Sequence, residues 1–108
     1  MSAENELIVV LCTVPDDATA EKLANGLVEE QLAACVNAIP GVKSFYRWQG
    51  KLEADTEIQL VIKTRSARFD ELAAWIKANH PYDVPEIVAI PAAHASDEYL
   101  AWAIEQSS

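Results

Sequence analysis

The pattern of apolar and polar positions predicts alternating strands and helices along the whole chain. Residues 6–14 form an unbroken, β-branched apolar run of strand length, which indicates a strand covered on at least one face. Pro15 ends this strand, and Asp16 or Asp17 can cap a helix whose apolar residues recur every three or four positions up to Leu32. The chain is therefore predicted to open with a strand and an amphipathic helix.

A long hairpin is predicted next. Its first strand runs from Cys35 to Trp48, with a bulge or bend at residues 40–41, where Pro and Gly interrupt it. Residues 49–50 read as a two-residue turn, and the returning strand over residues 51–64 alternates apolar and polar side chains. The alternation predicts one fully apolar face and one mixed face.

The last part of the chain predicts a helix, a strand and a second helix. Ser66 is placed to cap the first of these helices, and Pro81 stops it. A strand is predicted over residues 86–91, and Ser96 is placed to cap the final short helix.

This element order predicts one α+β domain over residues 1–108, with a ferredoxin-like βαββαβ sandwich and a C-terminal helix. The sheet order would be 4-1-3-2, with both crossover helices on one face. The other face stays apolar, and the hairpin is longer than a four-stranded domain needs, so we expect oligomerisation through both. Trp48, near the hairpin tip, is expected to anchor a neighbouring subunit rather than a ligand.

The charge narrows the classes of partner. The formal net charge is -9, from 17 acidic and 8 basic residues. Nucleic acids and anionic membranes attract basic proteins, so neither is expected as a partner. The N-terminal residues 1–6 lack the pattern of a secretory or transit signal, which predicts a cytoplasmic protein.

Topology gathers candidate chemistry at one edge of the sheet. Cys12 lies near the end of the first strand, and the second helix returns His80 to the same edge, together with Asp16, Asp17 and Glu86. Thiolate and imidazole suit copper and zinc, and a nearby helix N-terminus can shift a thiol toward thiolate. From the residues alone, a core cysteine and a helix-terminal histidine remain the simpler explanation.

Other chemistries have weaker support. Neither a glycine-rich phosphate loop nor a nucleophile elbow occurs in the sequence, so an enzyme built on the edge carboxylates and His80 ranks last. Cys12 and Cys35 are expected at opposite ends of the sheet, which argues against a disulfide between them.

Several segments resemble the CutA family of divalent-cation tolerance proteins. The resemblance spans nearly the whole chain in order. It is carried by residues 11–16, 32–37, 46–51, 80–87 and 99–102, together with Glu57 and residues 63–64.

The resemblance implies a homotrimer with an architecture similar to the PII signalling proteins, a link to copper and other divalent metal ions, and no established enzymatic activity. Family copper ligands are a cysteine matching Cys12 and two adjacent histidines matching positions 79 and 80. His80 keeps the pattern, whereas Asn79 departs from it, and Asn is a poor copper ligand. We expect Trp48 and Tyr46 at the trimer interface.

Two functions follow as hypotheses. The first is a non-enzymatic copper-binding tolerance protein that uses Cys12 and His80, with Asp16, Asp17, Glu86 or a neighbouring subunit completing the site. The alternative is a PII-like signalling module whose inter-subunit clefts bind a small molecule.

Overall fold

The computed structural model describes residues 6–108, which form a four-stranded antiparallel sheet and three α-helices. The strands are β1 (Leu7–Val14), β2 (Cys35–Trp48), β3 (Lys51–Arg65) and β4 (Val88–Pro91). The helices are α1 (Asp17–Glu29), α2 (Phe69–Asn79) and α3 (Asp97–Gln106). The sheet order β2-β3-β1-β4 confirms the predicted ferredoxin-like α+β fold with its C-terminal helix.

The main core lies between the sheet and the helices α1 and α2. Alternate side chains of β1 and β3 face this layer, because successive residues of a strand point to opposite faces. Each fully buried aliphatic side chain contributes about 1.5–3 kcal/mol. The most deeply buried members are Val10, Cys12, Val14, Leu23, Leu27, Leu60, Ile62, Leu72 and Ile76.

The hairpin of β2 and β3 extends far beyond the rest of the sheet. Its register shifts between Ile39 and Val42, which confirms the predicted bulge at residues 40–41. The turn residues Gln49 and Gly50 have φ angles of 50° and 80°, as a tight two-residue hairpin turn requires. Since β1 reaches only as far as Ile58 on β3, residues 42–57 form a two-stranded projection that we name the hairpin arm.

The hairpin arm and the open face of the sheet expose large apolar side chains. Phe45 and Leu52 on the arm are 76% and 79% exposed. An isolated two-stranded hairpin is marginally stable in water, and contiguous apolar surface of this kind marks a contact site. Other exposed members are Ile39, Tyr46, Trp48, Val88 and Ile90.

The helix starts were predicted correctly in two cases out of three. Asp16 caps α1 by accepting the Thr19 amide at 2.8 Å, and Ser96 caps α3 by accepting the Tyr99 amide at 3.2 Å. The prediction for Ser66 is wrong, because a turn of 3₁₀-helix over Ser66–Arg68 precedes α2 and no side chain caps it. Within residues 6–108, the helices are all too short or too polar to span a bilayer.

The strand β4 begins later than predicted. It pairs with β1 from Val88 onward, opposite Leu11, whereas the predicted strand began at Glu86. The segment before Val88 leaves the sheet: Ile87 packs against the core and Glu86 turns to the outside.

The cysteines are both free, as predicted, although the reason differs from the one expected. Cys12 pairs with Leu60 and Cys35 with Lys63, so they lie on the two strands that flank β3, three residues apart in register rather than at opposite ends of the sheet. Directly paired residues share a face and neighbours alternate, which puts Cys12 on the helix side and Cys35 on the open side. The sheet itself separates the thiols.

Candidate functional site

His80 brings the end of α2 to the end of β1, as the topology predicted. It is the C-cap residue of α2 and is buried. Its Nε2 lies 2.9 Å from the carbonyl oxygen of Thr13, and its Nδ1 lies 3.1 Å from the backbone nitrogen of Tyr82. A carbonyl only accepts and an amide only donates, so in this arrangement Nε2 carries a proton and donates, and Nδ1 accepts. Both ring nitrogens are therefore engaged.

Cys12 approaches the same carbonyl oxygen from the core. Its Sγ lies 3.9 Å from the Thr13 carbonyl, and the side chain is fully buried among aliphatic residues. Burial, with a smaller contribution from the carboxylates of Glu86 and Glu57, raises the pKa of the Cys12 thiol to about 12. The direction is opposite to the shift that a helix N-terminus would give, so the thiol keeps its proton at neutral pH.

The remaining predicted site residues lie in other surroundings. The side-chain amide of Asn79 donates to the Trp75 carbonyl at 2.8 Å, which ties it to its own helix. The carboxylate of Asp16 is occupied as the α1 cap, and its hydrogen bonds from Thr19 lower its pKa. Asp17 is exposed in the first turn of α1, and Glu86 accepts a hydrogen bond from Gln59 at 3.4 Å.

Cys12 and His80 provide the types of donor that suit copper, but two donors do not complete a metal site. A thiol and an imidazole converge on one carbonyl oxygen, and soft and borderline donors of this type select copper and zinc. Across the described part of the chain, however, no three His, Cys, Asp or Glu residues lie close enough together to hold a metal ion. One chain alone therefore does not form a closed metal site in this conformation.

A pocket of about 410 Å³ opens beside His80, on the other side of the sheet edge from Cys12. We name it the carboxylate–aromatic pocket. Thr13 lines it, because this residue points to the face opposite Cys12. Its other principal walls are the carboxylates of Glu57, Asp83 and Glu86 and the aromatic rings of Tyr46, Trp48 and Tyr82.

The hydroxyls of two tyrosines that line this pocket donate hydrogen bonds to carboxylates. The Tyr82 hydroxyl donates to Glu57 Oε2 at 2.6 Å, and Glu57 is only 5% exposed. The Tyr46 hydroxyl donates to Asp55. Burial and the hydrogen bond to Glu57 raise the pKa of Tyr82, and the hydrogen bond to Asp55 raises that of Tyr46 to about 12. Both hydroxyls therefore remain donors at neutral pH.

The sequence reasoning did not single out Glu57 as a site residue. The one feature of the sequence that could have indicated this role is the position of a carboxylate directly before Ile58, where the alternating part of β3 begins. Trp48, expected to anchor a subunit, forms a wall of the pocket, and its contact with another subunit stays a prediction.

The fold and the site together define a ferredoxin-like α+β protein with a thiol–imidazole edge beside an acidic pocket. The family model described as "CutA1 divalent ion tolerance protein" matches residues 8–106. The chain belongs to this family, and the expected resemblance is confirmed.

Similar proteins come from bacteria and plants. The divalent-cation tolerance protein CutA of Thermus thermophilus is 52% identical over 99 residues, which cover 92% of this chain and 96% of the relative. A solved structure of the Thermus thermophilus protein has a TM-score of 0.92 at 50% identity, covering 94% of this chain and 99% of that one. The chloroplastic protein CutA of Arabidopsis thaliana is 50% identical over 95 residues, or 88% of this chain. The match covers 52% of the plant relative, so the chain spans about half its length.

Proposed function

We propose that the protein serves divalent-cation tolerance as a non-enzymatic, copper-binding homotrimer of the cytoplasm. One observation carries the metal assignment: the Cys12 thiol and the His80 imidazole converge on the carbonyl oxygen of Thr13. The names of the similar proteins support a role with divalent cations. Two free cysteines are consistent with a reducing compartment.

Copper would be held by Cys12 and His80, with a further donor from another subunit. Because the thiol is protonated, Cys12 must lose its proton when it binds a metal. His80 must release the Tyr82 amide from Nδ1 or its own proton from Nε2. We therefore expect a labile site, which suits a protein that responds to excess metal rather than one that retains it.

The homotrimer is supported by the exposed apolar side chains of the hairpin arm and the open sheet face. Phe45 and Leu52 are almost fully exposed on an arm that only two strands support. Burying this surface against two further copies would stabilise the arm. Tyr46 and Trp48, which are both less than half exposed, are the residues we assign to this interface.

A copper titration tests the metal assignment. Cu(I) is titrated into the purified protein against a competing chelator, beside the variants Cys12→Ser, His80→Ala and Cys35→Ser. We expect stoichiometric binding to the wild type, weakened by about tenfold or more in the first two variants and unchanged in Cys35→Ser. Equal binding by all four proteins would overturn the assignment.

A second candidate function has its own observation. The carboxylate–aromatic pocket has the volume of a small-molecule site and combines apolar walls with a few polar groups. This favours a signalling module that binds a small molecule. A change in melting temperature with a metabolite, in the presence of a metal chelator, tests it.

A further inference from the structure

The carboxylate–aromatic pocket is acidic. Glu57, Asp83 and Glu86 line it, whereas no Lys, Arg or His of residues 6–108 does. Among residues 6–108, ion pairing is confined to Arg68 and Glu71. The three pocket carboxylates are therefore not neutralised by a basic side chain of the described chain.

Glu57 is the most buried of the three pocket carboxylates. It is 5% exposed, and its described hydrogen-bond donor is the neutral hydroxyl of Tyr82. A carboxylate removed from water is destabilising unless a cation or several donors compensate it. A cationic ligand in the pocket would supply that compensation.

The spacing of the carboxylates suits an organic cation better than a metal ion. They line a space of about 410 Å³, yet within the described part of the chain no three acidic, His or Cys residues come close enough to ligate one metal. A single small ion would leave most of the pocket empty. A larger cation can meet carboxylates on several sides at once.

The aromatic walls favour an alkyl-substituted cation. The faces of Trp and Tyr attract ammonium groups, and their apolar surface accommodates methylene groups. Trp48, Tyr46 and Tyr82 provide such walls, and because Trp48 and Tyr46 are also assigned to the subunit interface, the site would lie in the cleft between subunits. A strongly hydrated inorganic ion would gain little from them.

We infer that the carboxylate–aromatic pocket binds a small alkylammonium ligand, with Glu57 as the principal countercharge. The inference rests on the second candidate function, since it names the class of molecule that such a module would read. It is independent of copper binding by Cys12 and His80.

The test compares 1,4-diaminobutane with its neutral counterpart 1,4-butanediol by calorimetric titration, with a metal chelator present. We expect the diamine to bind and the diol not to bind, and high salt to weaken the binding. Glu57→Gln preserves the size of the side chain and an oxygen for the Tyr82 hydroxyl. We expect it to lower diamine affinity by about tenfold or more.

Matched variants distinguish a specific loss of binding from a loss of fold. Glu29→Gln removes the same charge from the exposed side of α1 and should bind as the wild type does. Asp83→Asn changes an exposed wall residue and should also weaken binding. Equal binding of diamine and diol, or wild-type affinity in both Glu57→Gln and Asp83→Asn, would overturn the inference.

A panel of anionic and neutral metabolites distinguishes failure of the alkylammonium inference from failure of the small-molecule function on which it rests. A melting-temperature shift with one of these but none with the diamine would reject the alkylammonium class and keep the small-molecule module. The absence of any shift would reject both.

Discussion

The alternation of side chains along β1 decides which candidate residues can meet. The connection between α2 and β4 was sufficient to predict that His80 reaches the end of β1, and the hydrogen bond to Thr13 bears this out. The position of Cys12 between the buried residues Val10 and Val14 also indicated a core thiol. The detailed hydrogen bonds of His80 depend on the turn after α2, which the sequence pattern does not define.

The raised pKa of Cys12 predicts a loss of stability in alkali. The folded chain keeps the thiol proton up to about pH 12, whereas an ordinary thiol loses it around 9.0. As the pH rises through this window, only the unfolded chain releases the proton, so unfolding becomes easier. In Cys12→Ala, we expect the free energy of unfolding to decrease less steeply with pH than in the wild type. The two slopes should differ by up to about 1.4 kcal/mol per pH unit.

Urea unfolding of the metal-free protein across this window provides the measurement. Tyr46 and Tyr82 have pKa shifts in the same direction, so some pH dependence should remain in the variant. Val10→Ala is the matched control: it removes neighbouring core volume but should retain the wild-type slope. A slope in Cys12→Ala equal to that of Val10→Ala would contradict the prediction.

At the scale of the elements, helices α1 and α2 pack closely against each other at one glycine. Gly26 of α1 lies under Trp75 of α2, and a Cβ added there would come within 2.4 Å of the indole ring. The sequence predicted both helices from their periodicity but not this contact, because it depends on how the helices cross. The 3₁₀ turn before α2 was not predicted for a similar reason. It depends on a distant part of the chain, because the Ser66 amide donates to the carbonyl of Glu6.

We expect Gly26→Ala to destabilise the protein despite alanine's higher helix propensity. Overpacking costs about 1–3 kcal/mol, which outweighs the gain of about 1 kcal/mol from replacing a helical glycine. Asn25→Ala, at an exposed neighbouring position, should have little effect or stabilise slightly. In a Trp75→Leu background, Gly26→Ala should become neutral or stabilising, and thermal unfolding that shows otherwise would reject the contact.

At the scale of the whole molecule, the hairpin arm is the feature that a single chain leaves unsupported. The length of β2 and β3 and the apolar open face were both predicted from the sequence. The number of subunits came from family resemblance, because no side-chain pattern in one chain specifies how many copies surround an arm. The trimer therefore remains a prediction.

Trp48→Ala should loosen the assembly before it unfolds the chain. Buried tryptophans at interfaces commonly contribute about 2 kcal/mol or more to association. Sedimentation velocity at decreasing concentration should show smaller species for Trp48→Ala under conditions where the wild type remains assembled. Lys43→Ala, an exposed substitution on the same strand, is the control. An unchanged trimer in Trp48→Ala would remove this residue from the interface.

The claim that the end of β1 is a copper site is tested most directly by X-ray absorption at the copper edge. The protein is loaded with one Cu(I) per chain and compared with Cys12→Ser under the same conditions. We predict a sulfur ligand with imidazole nitrogen in the wild type, and loss of the sulfur in the variant. A spectrum with only light-atom ligands, identical in both proteins, would contradict the role assigned to Cys12.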